Sequence, residues 1–340
     1  MKRLVGVAGC AAVALMAVQG VAQQWPYKVL STTKVGGEGG FDYVYADSAS
    51  RKLYVPRIGT DGAVAVFDLD TLKYAGSIEK TSGHGVAVAS GHGFASSSPV
   101  AMWDAKTLAP IKTIDVKGRP DGIFADKFND RVYIFSHVDP NATVIDSKDG
   151  AVLGTIDLGG APEQAVSDGK GHVYVAIEDK GKVAVIDAKT MTVSTSFDLQ
   201  GKGDGCAGLA IDARHEILFA ACREPQAMVV LSAKDGKIIT TLPIGKGTDG
   251  AVFNPETKEV FSSQGDGTLT IVKEESPTSF SVEENLTTMP RAKTLTLDAK
   301  TNKLYLISAE FGAAPPVEPG QKPARPPMVP GSFSILTVGK

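Results

Sequence analysis

Residues 159–201, GGAPEQAVSDGKGHVYVAIEDKGKVAVIDAKTMTVSTSFDLQG, hold four short runs rich in Val, Ile, Tyr and Thr, at 164–167, 172–177, 182–186 and 193–199. Runs of that length are too short for amphipathic helices, and β-branched and aromatic residues suit a pleated surface, so each reads as a strand. Between the first two stands Asp168-Gly169-Lys170-Gly171, a cluster suited to a tight hairpin. Four such strands in succession predict one small antiparallel sheet.

The pattern recurs on both sides. From Phe41, FDYVYAD, RKLYVPR, AVAVFD and LKYAGSIEK form a first copy; VAVAS, GFASSS, VAMWD and APIKTIDV a second; GIFAD, RVYIFS, ATVID and AVLGTIDL a third. After the template come LAID, EILFAAC, AMVVLS and KIITTLPI, then AVFN, EVFSSQ, TLTIV and TSFSVEE. The third run ends at Asp68, Asp104, Asp146 and Asp187, with Ser232 and Lys273 in the same place later. Four strands repeating every forty residues or so, as about this spacing gives, are the signature of propeller blades.

A seventh copy is incomplete. TLTLD and KLYLIS are followed by a Pro-rich insertion at 310–331 and by SFSILTV, and no fourth strand remains. YKVLSTTK at 27–34 reads as the missing strand. Pairing it with the last blade removes two exposed sheet edges that would otherwise template aggregation. The expected fold is all-β: a seven-bladed β-propeller of four-stranded blades over 23–340, closed three-plus-one by the N-terminal strand.

Composition agrees, with 37 Gly, 19 Pro and only 21% charged residues in 340. Met1-Lys2-Arg3, the apolar run LVGVAGCAAVALMAV and small residues at Gly20-Val21-Ala22 predict a cleaved secretory signal over 1–22. The run falls short of the roughly 20 apolar residues that span a bilayer, so no membrane insertion is expected after cleavage. A periplasmic or secreted location follows. The chain has 35 basic and 38 acidic residues, a formal charge of −3, and loss of Lys2 and Arg3 takes it to −5. That field, with no basic run, gives no reason to expect nucleic acid as a partner. Closure without a second copy predicts a monomer.

The chain also resembles the YVTN-type seven-bladed propeller repeat proteins, often called YncE-like. The resemblance is carried by Leu53-Tyr54-Val55-Pro56 and Val173-Tyr174-Val175-Ala176 on second strands, Val185-Ile186-Asp187 closing a third, and Gly118-Arg119-Pro120 and Gly160-Ala161-Pro162 leading into blades. The asparagine of the namesake tetrapeptide is absent and blade two is short. The resemblance implies the fold. It implies no single function, since similar propellers serve as enzymes, electron-transfer partners and binding platforms.

Aligning the repeats places Asp42, His84, Asp121, Glu163, Ala207, Asp249 and Lys293 where inner strands begin, as a ring at one mouth of the channel. Arg57, His137, Glu178, Arg223 and Gln264 end second strands around it, while His92, His172 and His215 fall at the opposite face. Clustered carboxylates raise one another's pKa unless a cation or neighbours such as Arg119, Arg291 and Lys293 neutralise them. One divalent cation on Asp121 and Glu163, with His84 or His137 as nitrogen ligand or general base, is one reading; capping of loop amides and contact with channel water is the other. A ligand held at this face would meet Asp42, Arg57, Asp121, Glu163, Asp249, Arg291 and Lys293.

Residues 81–93, TSGHGVAVASGHG, carry two Gly-His-Gly triplets, read as tight turns at either end of one strand. Cys206 and Cys222 flank a predicted hairpin, and if Ile211 faces Ile217 they face each other, placed for a disulfide in an exported chain. Two free thiols and a soft-metal pair are the alternatives. The 310–331 segment is read as a lid or docking arm, with Arg325 and Met328 as contacts, or as a linker. The chain lacks a Gly-x-Ser-x-Gly elbow, a His-Glu-x-x-His, a phosphate-binding glycine loop and a Cys-x-x-Cys-His. Three functions remain: a scaffold binding a small molecule or protein at the channel mouth, a metal-dependent enzyme of lactonase or lyase type at the same place, and a redox partner resembling quinoprotein-associated propellers.

Overall fold

The computed structural model describes Met1 and residues 26–315 and 326–340; the rest of the expected secretory signal, and Arg325, lie outside them. Seven four-stranded antiparallel sheets succeed one another around a channel. In the template blade the strands are Pro162–Ser167, His172–Ile177, Lys182–Asp187 and Thr192–Asp198, within two residues of the expected bounds. Lys28–Lys34 pairs antiparallel with Ser334–Gly339 and so supplies the fourth strand of blade seven. Blade one departs from expectation: its inner strand pairs only over Tyr45–Asp47. Phe41 to Val44 lie outside the ladder, where Tyr43 N–H instead donates to the His84 carbonyl of the next blade at 3.1 Å.

The core is divided among the seven seams between blades. Second and third strands are buried, as in Asn141–Asp146 and Glu259–Gln264, whereas the outermost strands stay largely exposed. Between blades one and two, Tyr54, Val64, Val66 and Val86 pack on Trp103. The Trp103 ring occupies the space a Cβ at Gly93 would need, so this glycine makes room for an indole while Gly91, at φ +79°, makes the turn. That accounts for one of the two Gly-His-Gly triplets by packing.

The aspartates ending third strands are turn formers. Asp68, Asp104 and Asp187 each accept the backbone N–H of the residue three places on, Thr71, Thr107 and Thr190, at 2.7–3.0 Å. Lys273 stands in this place in blade six because the third strand continues to Ser276 there and needs no turn.

Cys206 and Cys222 are disulfide-bonded. They face each other, but not for the expected reason. Ile211 pairs with Leu218, one residue off the predicted partner Ile217, and a bulge between Cys206 and Gly208 restores the register.

Ring closure is reinforced by a buried ion pair between blades seven and one. Arg51 Nη1 lies 2.7 Å from Asp298 Oδ1, whose side chain is fully buried, and Thr301 Oγ1 donates to Oδ2 at 2.6 Å. Burial alone would raise the Asp298 carboxyl; Arg51, Thr301 and Ser48 outweigh it and hold it well below the usual carboxylate range. A carboxyl depressed in the folded state stabilises above its unfolded pKa, and that stability is lost as pH falls below about 4. Asp298→Asn, which leaves Arg51 without its buried partner, is expected to cost about 3 kcal/mol at pH 7. Urea unfolding at pH 7 and pH 3 checks this: the gap between wild type and variant should shrink in acid.

Candidate functional site at the channel mouth

Inner strands of blades two to six break register near one end, between Gly83 and Val86, Pro120 and Ile123, Pro162 and Ala165, Cys206 and Gly208, and Thr248 and Gly250. The residues so stepped over include His84, Asp121, Glu163, Ala207 and Asp249. A bulge takes a side chain out of the ladder and re-aims it, here towards the mouth. Gly85, Gly122, Gly208 and Gly250 follow four of them. A Cβ on Gly208 would come within 2.8 Å of the Gly250 backbone, and one on Gly85 within 2.9 Å of Ile123. Glycine thus lets inner strands close on the axis.

Three blades depart from this pairing: Thr294 of blade seven donates its hydroxyl to the Asp42 carbonyl at 2.5 Å, and the other two departures build the site. Gln164 stands in the glycine place of blade four; its Nε2 donates to the Ala251 carbonyl at 2.9 Å, and its Oε1 accepts from Leu209 and Ala251 N–H at 3.0 Å. Tyr43, in the same place in blade one, donates its hydroxyl to Glu163 Oε2 at 2.9 Å. Neither residue was singled out in the sequence, although the broken X-Gly pattern marks both.

The ring residues form a closed chain of charge contacts. His84 Nδ1 lies 2.9 Å from Asp42 Oδ2 and 3.1 Å from Asp121 Oδ1, and His137 Nε2 lies 3.7 Å from Asp121 Oδ2 and 3.5 Å from Glu163 Oε1. Glu163 neighbours Glu178, Arg223 bonds both Glu178 and Asp249, and Lys293 bonds Asp249 and returns to Asp42 Oδ1 at 3.6 Å. Carboxylates and basic groups therefore alternate except at Glu163–Glu178. There, burial foremost, then the Glu178 contact and the Asp249 charge, push the Glu163 carboxyl up to about 9. The Asp42 hydrogen bond raises His84 despite its burial, while burial raises Asp121. On Asp42, His84 and Lys293 outweigh the effect of burial and lower the carboxyl.

Other expected residues are placed differently. Arg57 is buried, stacked over Phe333 at 3.8 Å and donating to the Gly36 and Gly39 carbonyls, so it fixes the loop leading into blade one. Burial pushes it down to about 10. Gln264 is buried and accepts from Thr268 Oγ1 at 3.1 Å. His92, His172 and His215 bond Ser147 O, Asp168 and Asp212 at the far ends of the inner strands, as expected.

Beside the ring lies a cavity of about 680 Å³ lined by Phe41, Phe311, Pro326, Met328, Pro330, Arg291, Lys293, Glu38 and glycines 39, 40 and 265. Its outer wall is the stem of the Pro-rich segment. Phe311 bridges Met328, Gly312 N–H donates to Pro327 O at 2.9 Å, and Val329 N–H to Glu310 O at 2.8 Å. The Arg291 guanidinium lies 4.0 Å from the Phe311 ring centroid and makes no ion pair among the described residues.

The fold is that of a seven-bladed β-propeller. The chain is similar to the YncE proteins of Salmonella typhi and Salmonella typhimurium, themselves uncharacterised, at 24% identity over 169 residues. The match takes in 45% of this chain and 46% of each relative, so it spans less than half their length. No family model matches. Among solved structures, a chain of the Mitotic Checkpoint Complex aligns with TM-score 0.72 over 89% of this chain and 95% of its own. U3-55K aligns at 0.68 over 91% and 98%, and the Neurospora crassa Pan2 WD40 domain at 0.67 over 92% and 95%. All three are 12% identical and show the shared propeller fold alone.

The Glu163 proton is testable in chelator-treated protein. An unfolded glutamate releases its proton near 4.5, the folded one near 9, so the folded state binds more protons between these values. Its stability relative to a neutral side chain therefore falls as pH rises through that window. Glu163→Gln is expected to match wild type at pH 5 and to gain in thermal midpoint progressively to pH 9, read by scanning fluorimetry. A gap independent of pH would contradict the assignment.

Proposed function

We propose that the protein is an exported binding scaffold that seats an amphipathic organic anion at the channel mouth, between the charged ring and the Pro-rich stem. The observation that carries this reading is the 680 Å³ cavity, a volume usual for small-molecule sites, with Phe41, Phe311 and Met328 for an apolar body and Arg291 for a negative end. Arg291 is the basic group best suited to that end, because Lys293 is engaged by Asp249 and Asp42. Export is supported by the Cys206–Cys222 disulfide, a bond that oxidising compartments preserve. The YncE likeness supports a platform role over a dedicated chemistry only in so far as the propeller is a general one.

A second reading, a metal-dependent enzyme of lactonase or lyase type, rests on one observation. His137 Nε2 is buried without a hydrogen-bond partner and faces Asp121 and Glu163. His137 and Glu163, with Glu178, offer a mixed nitrogen and oxygen set suited to a divalent cation, and Asp121 lies beside His137. Such an ion would polarise a substrate carbonyl. His84, already bonded to Asp42 and Asp121, would serve as the base.

Titration with 8-anilinonaphthalene-1-sulfonate, an aromatic anion, tests the first reading. One saturable site is expected, weakened at least about tenfold by Arg291→Glu, equivalent to 1.4 kcal/mol. Equal binding by the variant would remove the mouth cavity from consideration. Elemental analysis of unchelated wild type and of Asp121→Ala/Glu163→Ala separates the readings: the scaffold predicts equal metal content in the two, the enzyme one equivalent lost in the variant.

A further inference from the structure

At the face opposite the mouth, blades five and six meet at Asp212, His215 and Glu274. Asp212 ends the inner strand Asp204–Asp212, His215 lies in the following turn, and Glu274 sits on the third strand of blade six, Thr268–Ser276. His215 Nδ1 is 2.5 Å from Asp212 Oδ2 and 2.9 Å from Glu274 Oε1. Asp212 uses its other oxygen for the turn, accepting Arg214 N–H at 2.9 Å, which leaves Oδ2 facing the cluster.

Glu274 is out of keeping with the repeat. Its backbone N–H donates to Lys258 O at 2.9 Å. The same bond identifies the equivalent residues: Leu69 to Arg51 O, Ala105 to Gly91 O, Ser147 to Asp130 O, Ala188 to Gly171 O and Ala233 to Glu216 O. Five blades thus bury a small or apolar side chain where blade six buries a carboxylate. Glu274 is 1% exposed, and neither buried carboxylate oxygen makes an aligned hydrogen bond: Oε2 has no partner, and the His215 Nδ1 contact to Oε1 is close but poorly aligned. Burying a carboxylate with so poor a hydrogen-bond complement costs several kcal/mol, by order of magnitude, unless a proton or a cation compensates it.

We propose that Asp212, His215 and Glu274 form a second-face site for a divalent transition metal of the zinc class, which ties blade five to blade six. The ligand atoms all lie within 4.8 Å of one another. Around zinc, with metal–ligand bonds of about 2.0–2.2 Å, tetrahedral donors stand roughly 3.3–3.6 Å apart, so binding needs the His215 contacts of 2.5 and 2.9 Å to open by under about 1 Å. One imidazole with two carboxylates favours zinc over calcium or magnesium, which prefer oxygen alone. His215, at the partly exposed edge, gives up its Nδ1 proton on binding, and water completes the coordination. The hairpin carrying the site is closed at its other end by the Cys206–Cys222 disulfide, so the ion would fix the free turn against the neighbouring blade.

The test uses the full processed chain, stripped with chelator, in an Asp121→Asn/Glu163→Gln background that silences uptake at the mouth. Zinc chloride is titrated by calorimetry and thermal unfolding is followed with and without it. One zinc per chain and a raised midpoint are expected. Glu274→Ala, which installs the residue blades two, four and five already carry, should fold without metal at least as stably and bind zinc about 100-fold more weakly or not at all, in line with the loss of a ligand. His215→Gln should lose zinc to a similar extent. No zinc uptake by the background protein, or uptake unchanged by Glu274→Ala, would overturn the proposal.

Discussion

The antiparallel pairing of Lys28–Lys34 with Ser334–Gly339 is the constraint on which the rest depends. An open stack of blades would leave two sheet edges unpaired and its end seams half covered. Closure makes each blade pack on two neighbours, so the core becomes seven equivalent seams, and it forces the inner strands to converge on one axis. Convergence is what turns a bulge repeated in five blades into a ring. The buried Arg51–Asp298 pair lies across the closing seam, where a loss of packing would be felt first.

The ring is largely neutralised from within. His84, His137, Arg223 and Lys293 stand between the carboxylates, and at the one carboxylate pair without an intervening base, burial foremost and then the Glu178 contact push the Glu163 carboxyl up. Such a network positions its members at the cost of engaging them. Arg291 differs, because its partner is the Phe311 ring, and a cation stacked on an aromatic face keeps its donors available to an incoming anion. The proposed anion site therefore lies at the junction of ring and stem.

Most of the architecture was legible because the period-two strand pattern and the turn residues repeat with little change. Asp68, Asp104, Asp146 and Asp187 mark third-strand ends for a local reason, the turn they cap. The orphan strand at 27–34 was legible for a topological one. What escaped depends on contacts between blades. The bulge at Ala207, which corrects a register misjudged by one residue, leaves no mark in a hairpin of apolar residues. Arg57 looked like a mouth residue because its strand ends there, yet its long side chain turns back to hold Gly36 and Gly39. Tyr43 and Gln164 showed only as exceptions to glycine, and Glu274 only as an exception to Ala, Ser and Leu once the backbone bonds had aligned the blades.

The central claim is that ligand capture occurs between the ring and the Pro-rich stem. Hydrogen–deuterium exchange of the full chain, with and without saturating 8-anilinonaphthalene-1-sulfonate, tests it most directly. The account predicts slowed exchange in peptides spanning 36–41, 289–293, 310–315 and 326–331, with the far face unchanged. Protection elsewhere, or none at saturation, would contradict it.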